Sequence, residues 1–291
     1  MSERTRRRTA RRRGAAGPGK AAPNSKPNAA AAGRRARGLI AVDLGNSDTV
    51  VGWFEGELLV KFWRLTSVRQ TADEVELTLC ELLRGRLGEA RGGRAGAVLC
   101  SVVPALTLPW REALTRLIER EPVEVSTDTA KDLPIRYLDR TAVGADRIAN
   151  AVAARRLYGM PAIVVDLGTA TTFDCISKSG AYLGGLIAPG VGTSADELFR
   201  RAARIPRVEL RRPERAIGRT TEESLRAGVL WGAAGQIDAL VRRIALEMKG
   251  TPHVIATGGW AAAVVPECET INVVDEGLTL KGMRLLWEAN R

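Results

Sequence analysis

The stretch that most constrains this chain occurs twice. Residues 38–47 read GLIAVDLGNS, and residues 162–170 read AIVVDLGTA. In each, an apolar, β-branched run ends in Asp-Leu-Gly followed by short polar residues. Such a run reads as a buried strand, and an acid closing it is costly to desolvate unless a cation or hydrogen-bond donors meet it. Gly45 and Gly168 are expected to take backbone angles that other residues avoid, so that a tight turn follows the strand at once. Backbone N–H groups and small hydroxyls then face a ligand, where oriented amide dipoles suit an anion. The carboxylates of Asp43 and Asp166 suit a hydrated cation. A bare turn has no reason to recur with its strand, so the two corners together read as a phosphate clamp.

The elements around and after each corner recur as well. The first corner sits among strands at Leu39–Asp43, Thr49–Phe54 and Glu57–Arg64, with Glu55-Gly56 as a hairpin turn. A helix over 71–89, a buried strand over 95–103, a helix from Pro104 to about Arg120 and a short strand over 122–126 complete the first half. Residues 134–140 are extended, and a helix over 145–158 ends at Gly159. The second half has a strand at 162–166, a hairpin of 169–177 with 181–187 over Lys178-Ser179-Gly180, and a helix from about Ser194. Next come a long helix over 220–249, strands at 253–257 and 271–274, and a closing helix over 278–289. A strand with a polar corner, a hairpin, then alternating helices and strands, twice over, predicts a duplicated α/β fold around a central cleft.

The formal charge of +11 is confined to one end. The first 38 residues carry twelve Arg and Lys against a single acid, so the rest of the chain is neutral and is not a basic nucleic-acid binder. The tail is Arg-, Ala-, Gly- and Pro-rich without apolar periodicity and is expected to be disordered. Its Gly14–Ala21 stretch imitates a P-loop, but Ala21 stands where the Mg²⁺-binding hydroxyl belongs and no strand precedes it. No apolar run approaches the length of a membrane span, and no apolar stretch follows the N-terminal charges, which points to a cytoplasmic protein. Four cysteines without a C-x-x-C pair are expected as buried free thiols. With a single histidine, His253, any general base is a carboxylate.

One candidate is Asp146 in Gly144-Ala145-Asp146-Arg147, just before a helix. It reads either as a helix start that favours an acid or as a general base beside an arginine that pairs with an anionic substrate. Gly190-Val-Gly192-Thr-Ser-Ala195 matches G-x-G-x-x-A, but no acid closes a strand about 20 residues later, so a ligand-lining helix start is the better reading.

With these residues in view, the chain resembles type III pantothenate kinase, a member of the acetate kinase, sugar kinase, Hsp70 and actin superfamily. The resemblance runs from about Leu39 to Asn290. It is carried by DLGNSDTV (43–50), TADE (71–74), SVVPALT (101–107), VGADRIANAVAA (143–154), DLGTATTFD (166–174), YLGGLIAPGVGTSADELF (182–199), IGRTTEES (217–224), ATGG (256–259) and LTLKGMRLLWEAN (278–290). It implies two ribonuclease H-like (actin-like ATPase) domains, over 39–155 and 156–291, behind the basic tail of residues 1–38. The implied activity is ATP-dependent phosphorylation of pantothenate to phosphopantothenate, with Mg²⁺ and a monovalent cation, K⁺ or NH₄⁺. By resemblance Asp43, Leu44, Gly45, Asn46, Ser47, Asp48, Thr49, Val50 and Thr169 bind ATP, and Asp146 accepts the proton. Tyr137, Gly144, Ala145, Asp146, Arg147 and Thr221 bind pantothenate, Asp166 holds the monovalent cation, and Gly258-Gly259 turns beside the adenosine. The family is homodimeric, with the substrate site near the interface.

The first corner departs from the family's usual Asn-Thr-Asn. Ser47 keeps the hydroxyl, whereas Asp48 adds a negative charge near the phosphates that Mg²⁺ or a base must screen. The alternative from another class is a non-catalytic regulator of the same fold that uses its basic tail on nucleic acid.

Overall fold

A computed structural model describes residues 38–90, 94–202 and 204–291. Residues 1–37 of the predicted disordered tail lie outside these residues, and Gly38, the last of that tail, instead opens the first strand. The first half holds strands β1 (Gly38–Leu44), β2 (Asp48–Glu55), β3 (Leu58–Thr66), β4 (Gly96–Ser101) and β5 (Val123–Glu124), with helices α1 (Ala72–Leu82), α2 (Leu87–Ala90), α3 (Pro104–Ile118) and α4 (Ala145–Leu157). The second holds β6 (Ala162–Leu167), β7 (Ala170–Ile176), β8 (Tyr182–Pro189), β9 (His253–Thr257) and β10 (Val273–Val274), with α5 (Val191–Arg201), α6 (Thr221–Met248), α7 (Ala261–Val264) and α8 (Leu278–Asn290).

The strands form two five-stranded sheets of the same order, β3-β2-β1-β4-β5 and β8-β7-β6-β9-β10. In each, the first three strands run antiparallel and the last two pair parallel, so the predicted duplication is present strand for strand. This is the duplicated α/β architecture of ribonuclease H-like, actin-like ATPases.

Strand pleating decides where the two corner aspartates point, because alternate side chains face opposite sides of a sheet. On β1, Ile40, Val42 and Leu44 pack outward against α1 and α3, while Leu39 and Ala41 join the core between the sheets. On β6, Ile163, Val165 and Leu167 pack outward with α6, and Ala162 and Val164 face the same central core. Asp43 and Asp166 continue the inward series Leu39-Ala41 and Ala162-Val164. Both carboxylates therefore reach the cleft at the end of the central core.

Two helices fill that core. Helix α4 contacts strands of both sheets, and the C-terminal α8 lies against α4, β1 and β4 of the first half. A Cβ on Gly282 of α8 would run into the carbonyl of Ala149 on α4, so the two backbones meet with no room for a side chain.

Some expectations change. The helix predicted over 71–89 stops at Leu82 and resumes at Leu87, with Gly85 at φ +88 between the two pieces. Helix α5 begins at Val191, three residues earlier than predicted, because Gly190 docks on the second corner as its N-cap. Cys100 and Cys175 are buried, but Cys80 and Cys268 are only half-buried; none of the four forms a disulfide. Neither Gly45 nor Gly168 has positive φ. Gly45 is required for a different reason: a Cβ there would lie 2.8 Å from the Asp48 carbonyl oxygen, whereas one on Gly168 would find ordinary contacts at 3.6 Å.

Candidate active site

A cleft of about 270 Å³ opens between the sheets, lined from the first half by Asp43, Gly45, Asn46, Asp48 and Asp146 and from the second by Asp166, Gly168, Thr169 and the Gly258-Gly259 turn. The first corner is closed by the Gly45 N–H donating to the Asp48 carbonyl at 3.0 Å. Ser67, just past β3, braces it: its hydroxyl donates to the Gly45 carbonyl at 2.6 Å and its N–H to the Ser47 carbonyl at 2.9 Å. Leu44 and Thr49 are buried, and the Thr49 hydroxyl is shared with Ser67 at 2.9 Å. Neither is among the cleft-lining residues, whereas Val50 is.

The second corner mirrors the first, with the Gly168 N–H donating to the Ala170 carbonyl at 3.0 Å. Thr193, in the first turn of α5, donates to the Thr169 carbonyl at 2.6 Å. The corners touch: the Ser47 and Thr169 hydroxyls lie 2.7 Å apart across 122 residues of sequence. Behind them, Gly258 takes φ +95, and a Cβ there would stand 2.6 Å from Asp166 Oδ1, so only glycine fits this turn.

Helix α4 delivers Asp146 to the same cleft. Gly144 is its N-cap, and a Cβ on Gly144 would lie 2.5 Å from Asp146 Oδ1, so the glycine makes room for the carboxylate. Ala145 follows as the first helical residue, and Asp146 Oδ1 accepts the Arg147 N–H at 2.8 Å. One turn on, the buried Asn150 donates to Asp166 Oδ2 at 3.0 Å and accepts from Thr279 of α8 at 2.8 Å. The base candidate and the cation candidate are thus held by one helix.

Arg147 is not among the residues that line the cleft with the two corners. Its Nε donates to Asp174 Oδ1 at 2.7 Å, the Tyr182 hydroxyl donates to the same oxygen at 3.0 Å, and its guanidinium lies 5.8 Å from the Tyr182 ring centroid. Tyr137 continues the patch, with its ring 6.4 Å from that of Tyr182 and more than a third exposed. Arg147 Nη2 and Asp174 Oδ2 are buried with no hydrogen-bond partner. A buried guanidinium N–H without an acceptor is a costly state that an anionic ligand relieves. Thr221 is not brought here: it is exposed in the first turn of α6 and is not among the cleft-lining residues.

The cleft is acidic. Burial, then repulsion from Asp146, pushes the Asp43 carboxyl up to about 7, against a hydrogen bond with the Cys100 thiol on the neighbouring strand. Burial pushes Asp166 up to about 6, and burial also raises Asp146. Carboxylates raised this way hold protons until a cation stabilises their ionised form. Among the described residues, no three acidic, histidine or cysteine side chains converge as a ready-made metal site.

Sequence reasoning missed Arg64, Asn150, Asp174, Tyr182 and Thr279. Asn150 was within reach, since a residue four beyond Asp146 lies on the same helical face. The base that Asp48 demands is Arg64, whose Nη1 lies 3.1 Å from Asp48 Oδ2.

A family model for type III pantothenate kinase matches residues 39–243. The chain is 47% identical over 253 residues to the type III pantothenate kinase of Moorella thermoacetica, covering 87% of this chain and 99% of that one. Over 256 residues it is 45% identical to the type III pantothenate kinase of Acidothermus cellulolyticus, covering 87% and 98%. Among solved structures, it resembles the activator of the 2-hydroxyisocaproyl-CoA dehydratase from Clostridium difficile with bound ADPNP, at TM-score 0.55 and 16% identity over 87% of this chain and 96% of that one. A putative Baf family transcriptional activator from Campylobacter jejuni matches at TM-score 0.50 and 20% identity, over 86% and 97%. These structural likenesses show the fold. On the family match and the identity to its members across nearly the whole of their length, this chain belongs to the type III pantothenate kinase family.

Proposed function

We propose that this chain transfers the γ-phosphoryl group of ATP to the primary hydroxyl of pantothenate, the first step of coenzyme A synthesis. The observation that carries the reading is the placement of Asp146 between the two halves of the task, with the Asp-Leu-Gly corners on one side and the Arg147–Tyr182–Tyr137 patch on the other. In-line phosphoryl transfer asks the protein for positioning, charge neutralisation and one group to take the hydroxyl proton. The backbone N–H groups of residues 46–48 hold the phosphates, and the Ser47 and Thr169 hydroxyls exchange their mutual contact for phosphate oxygens. Arg147, held through Nε by Asp174, donates from Nη2 to the pantothenate carboxylate as its missing partner, and Tyr137 and Gly144 flank the acyl chain. Asp146 takes the proton from the hydroxyl, and burial raises its carboxyl above the ordinary aspartate value, which makes it a stronger base.

Asp43 and Asp166 are the residues for Mg²⁺ and for K⁺ or NH₄⁺; when bound, these ions neutralise charge spread over the phosphoryl oxygens. Assembly into a homodimer is supported by the apolar Leu183, Leu186 and Ile187 of β8 and Leu198 of α5, all exposed in the single chain. Thr221, outside the cleft, joins the substrate site through that assembly. We place the enzyme in the cytoplasm, the compartment of ATP and K⁺; among the described residues no helix is long and apolar enough to cross a membrane.

The test is Asp146→Asn. Turnover of pantothenate should fall by roughly 10²–10⁴-fold, while ATP binding by calorimetry and the unfolding midpoint stay close to wild type. Undiminished turnover would remove Asp146 from the mechanism.

A further inference from the structure

Among the described residues the cleft is lined by five acids, Asp43, Asp48, Asp146, Asp166 and Glu276, and by a single base, Arg64. Arg64 stands on β3 opposite Val50 of β2, two residues from Asp48 on that strand. Its ion pair with Asp48, Nη1 to Oδ2 at 3.1 Å, leaves the two side chains 37% and 44% exposed. The pair reaches the turn of the other sheet: a Cβ on Gly259 would lie 3.5 Å from Arg64 Nη1 and 3.9 Å from Asp48 Oδ2. A solvated pair of this kind is held weakly and exchanges partners readily. A guanidinium binds phosphate oxygens through two parallel N–H groups, a geometry it matches as well as it matches a carboxylate.

We propose that Arg64 is a nucleotide-phosphate ligand held in reserve by Asp48, whose carboxylate competes with the triphosphate for the guanidinium and so sets nucleotide affinity. The proposal rests on the reading of this cleft as an ATP site and adds to it the group that admits a polyanion among five acids. In the free cleft, Asp48 keeps the guanidinium pointed at the gap between the first corner and the Gly258-Gly259 turn. When the phosphates arrive, one weak pair is exchanged for a charge-assisted contact, and Asp48 turns to solvent. The positive charge of Arg64 also acts on Asp43 and Asp166, lowering both carboxyls against the burial that raises them. The rival role is narrower: Arg64 serves only to cancel the charge of Asp48.

A four-variant cycle separates the two roles, read as the dissociation constant for Mg·ATP by calorimetry and as KM for each substrate. Arg64→Ala should weaken ATP on the order of tenfold to a hundredfold and leave KM for pantothenate near wild type. Asp48→Asn, which frees the guanidinium, should tighten ATP several-fold, and Arg64→Lys should recover part of the loss because charge survives without the fork. In the double variant Asp48→Asn with Arg64→Ala, ATP should stay well weaker than with Asp48→Asn alone. Equal affinity for those two variants would reduce Arg64 to a partner of Asp48 and overturn the proposal, as would an unchanged constant for Arg64→Ala. Matching unfolding midpoints exclude loss of fold as the cause. If wild type itself bound no ATP, the reading of the cleft would fail and this proposal with it.

Discussion

Asp43 closes an inward-facing series on β1 and Asp166 the equivalent series on β6, so pleating alone sends two buried carboxyls to one cleft. Burial pushes them up to about 7 and about 6, well above the ordinary aspartate range. Between the unfolded value and those raised values, the folded chain holds protons that the unfolded chain has released. Without cations, stability therefore falls as pH rises through that window, the reverse of a salt-bridged aspartate. A bound cation takes the place of the protons. Mg²⁺ and K⁺ should raise the unfolding midpoint more at about pH 8 than at about pH 5; an equal rise at both would contradict the assignment of these carboxyls to cation binding. At this scale the acids were legible, because an aspartate ending an apolar strand is conspicuous in one dimension. Arg64 and Asp174 were not. Arg64 enters the cleft only through the β2–β3 register, and Asp174 reads as an ordinary strand residue until the fold sets Arg147 against it.

The helix pair α4–α8 holds the site's second layer. Asn150 on α4 links Asp166 of β6 to Thr279 of α8, so one amide fixes a strand end and two helices. The contact depends on Gly282, where a Cβ would enter the Ala149 carbonyl. Gly282→Ala should destabilise the fold by about 1–3 kcal/mol through overpacking and lower kcat by displacing Asp146 and Asn150 together. A denaturant midpoint equal to wild type would show that the helices are not packed backbone to backbone. Element types were largely readable, since strand and helix periods are local. Where α8 packs was not: its apolar stripe says that one face is covered, and only the assembled fold sends it back over β1 and β4 of the first half. The helix break at Gly85 and the early start of α5 escaped for a similar reason. Helical periodicity runs through the first, and the N-cap contact of Gly190 with the second corner is tertiary.

At the largest scale the described residues repeat one motif, with two sheets of identical order and a corner on each whose hydroxyls meet at 2.7 Å. The halves have diverged in what the corner offers: the first carries the Asp48–Arg64 pair, and the second carries Thr169 and the Gly258 turn. The apolar surface of β8 and α5 belongs to this scale too. Ile187 is 67% exposed, and Ile187→Asp should convert a dimer in light scattering to single chains without altering circular dichroism. A wild type already running as single chains would contradict the assembly. The proposed activity is directly observable. Purified full-length chain, supplied with pantothenate, ATP, Mg²⁺ and K⁺, should form phosphopantothenate and ADP in equal amounts, detected by mass spectrometry, and more slowly when Na⁺ replaces K⁺. A folded, ATP-binding preparation that forms no phosphopantothenate under those conditions would contradict that proposal.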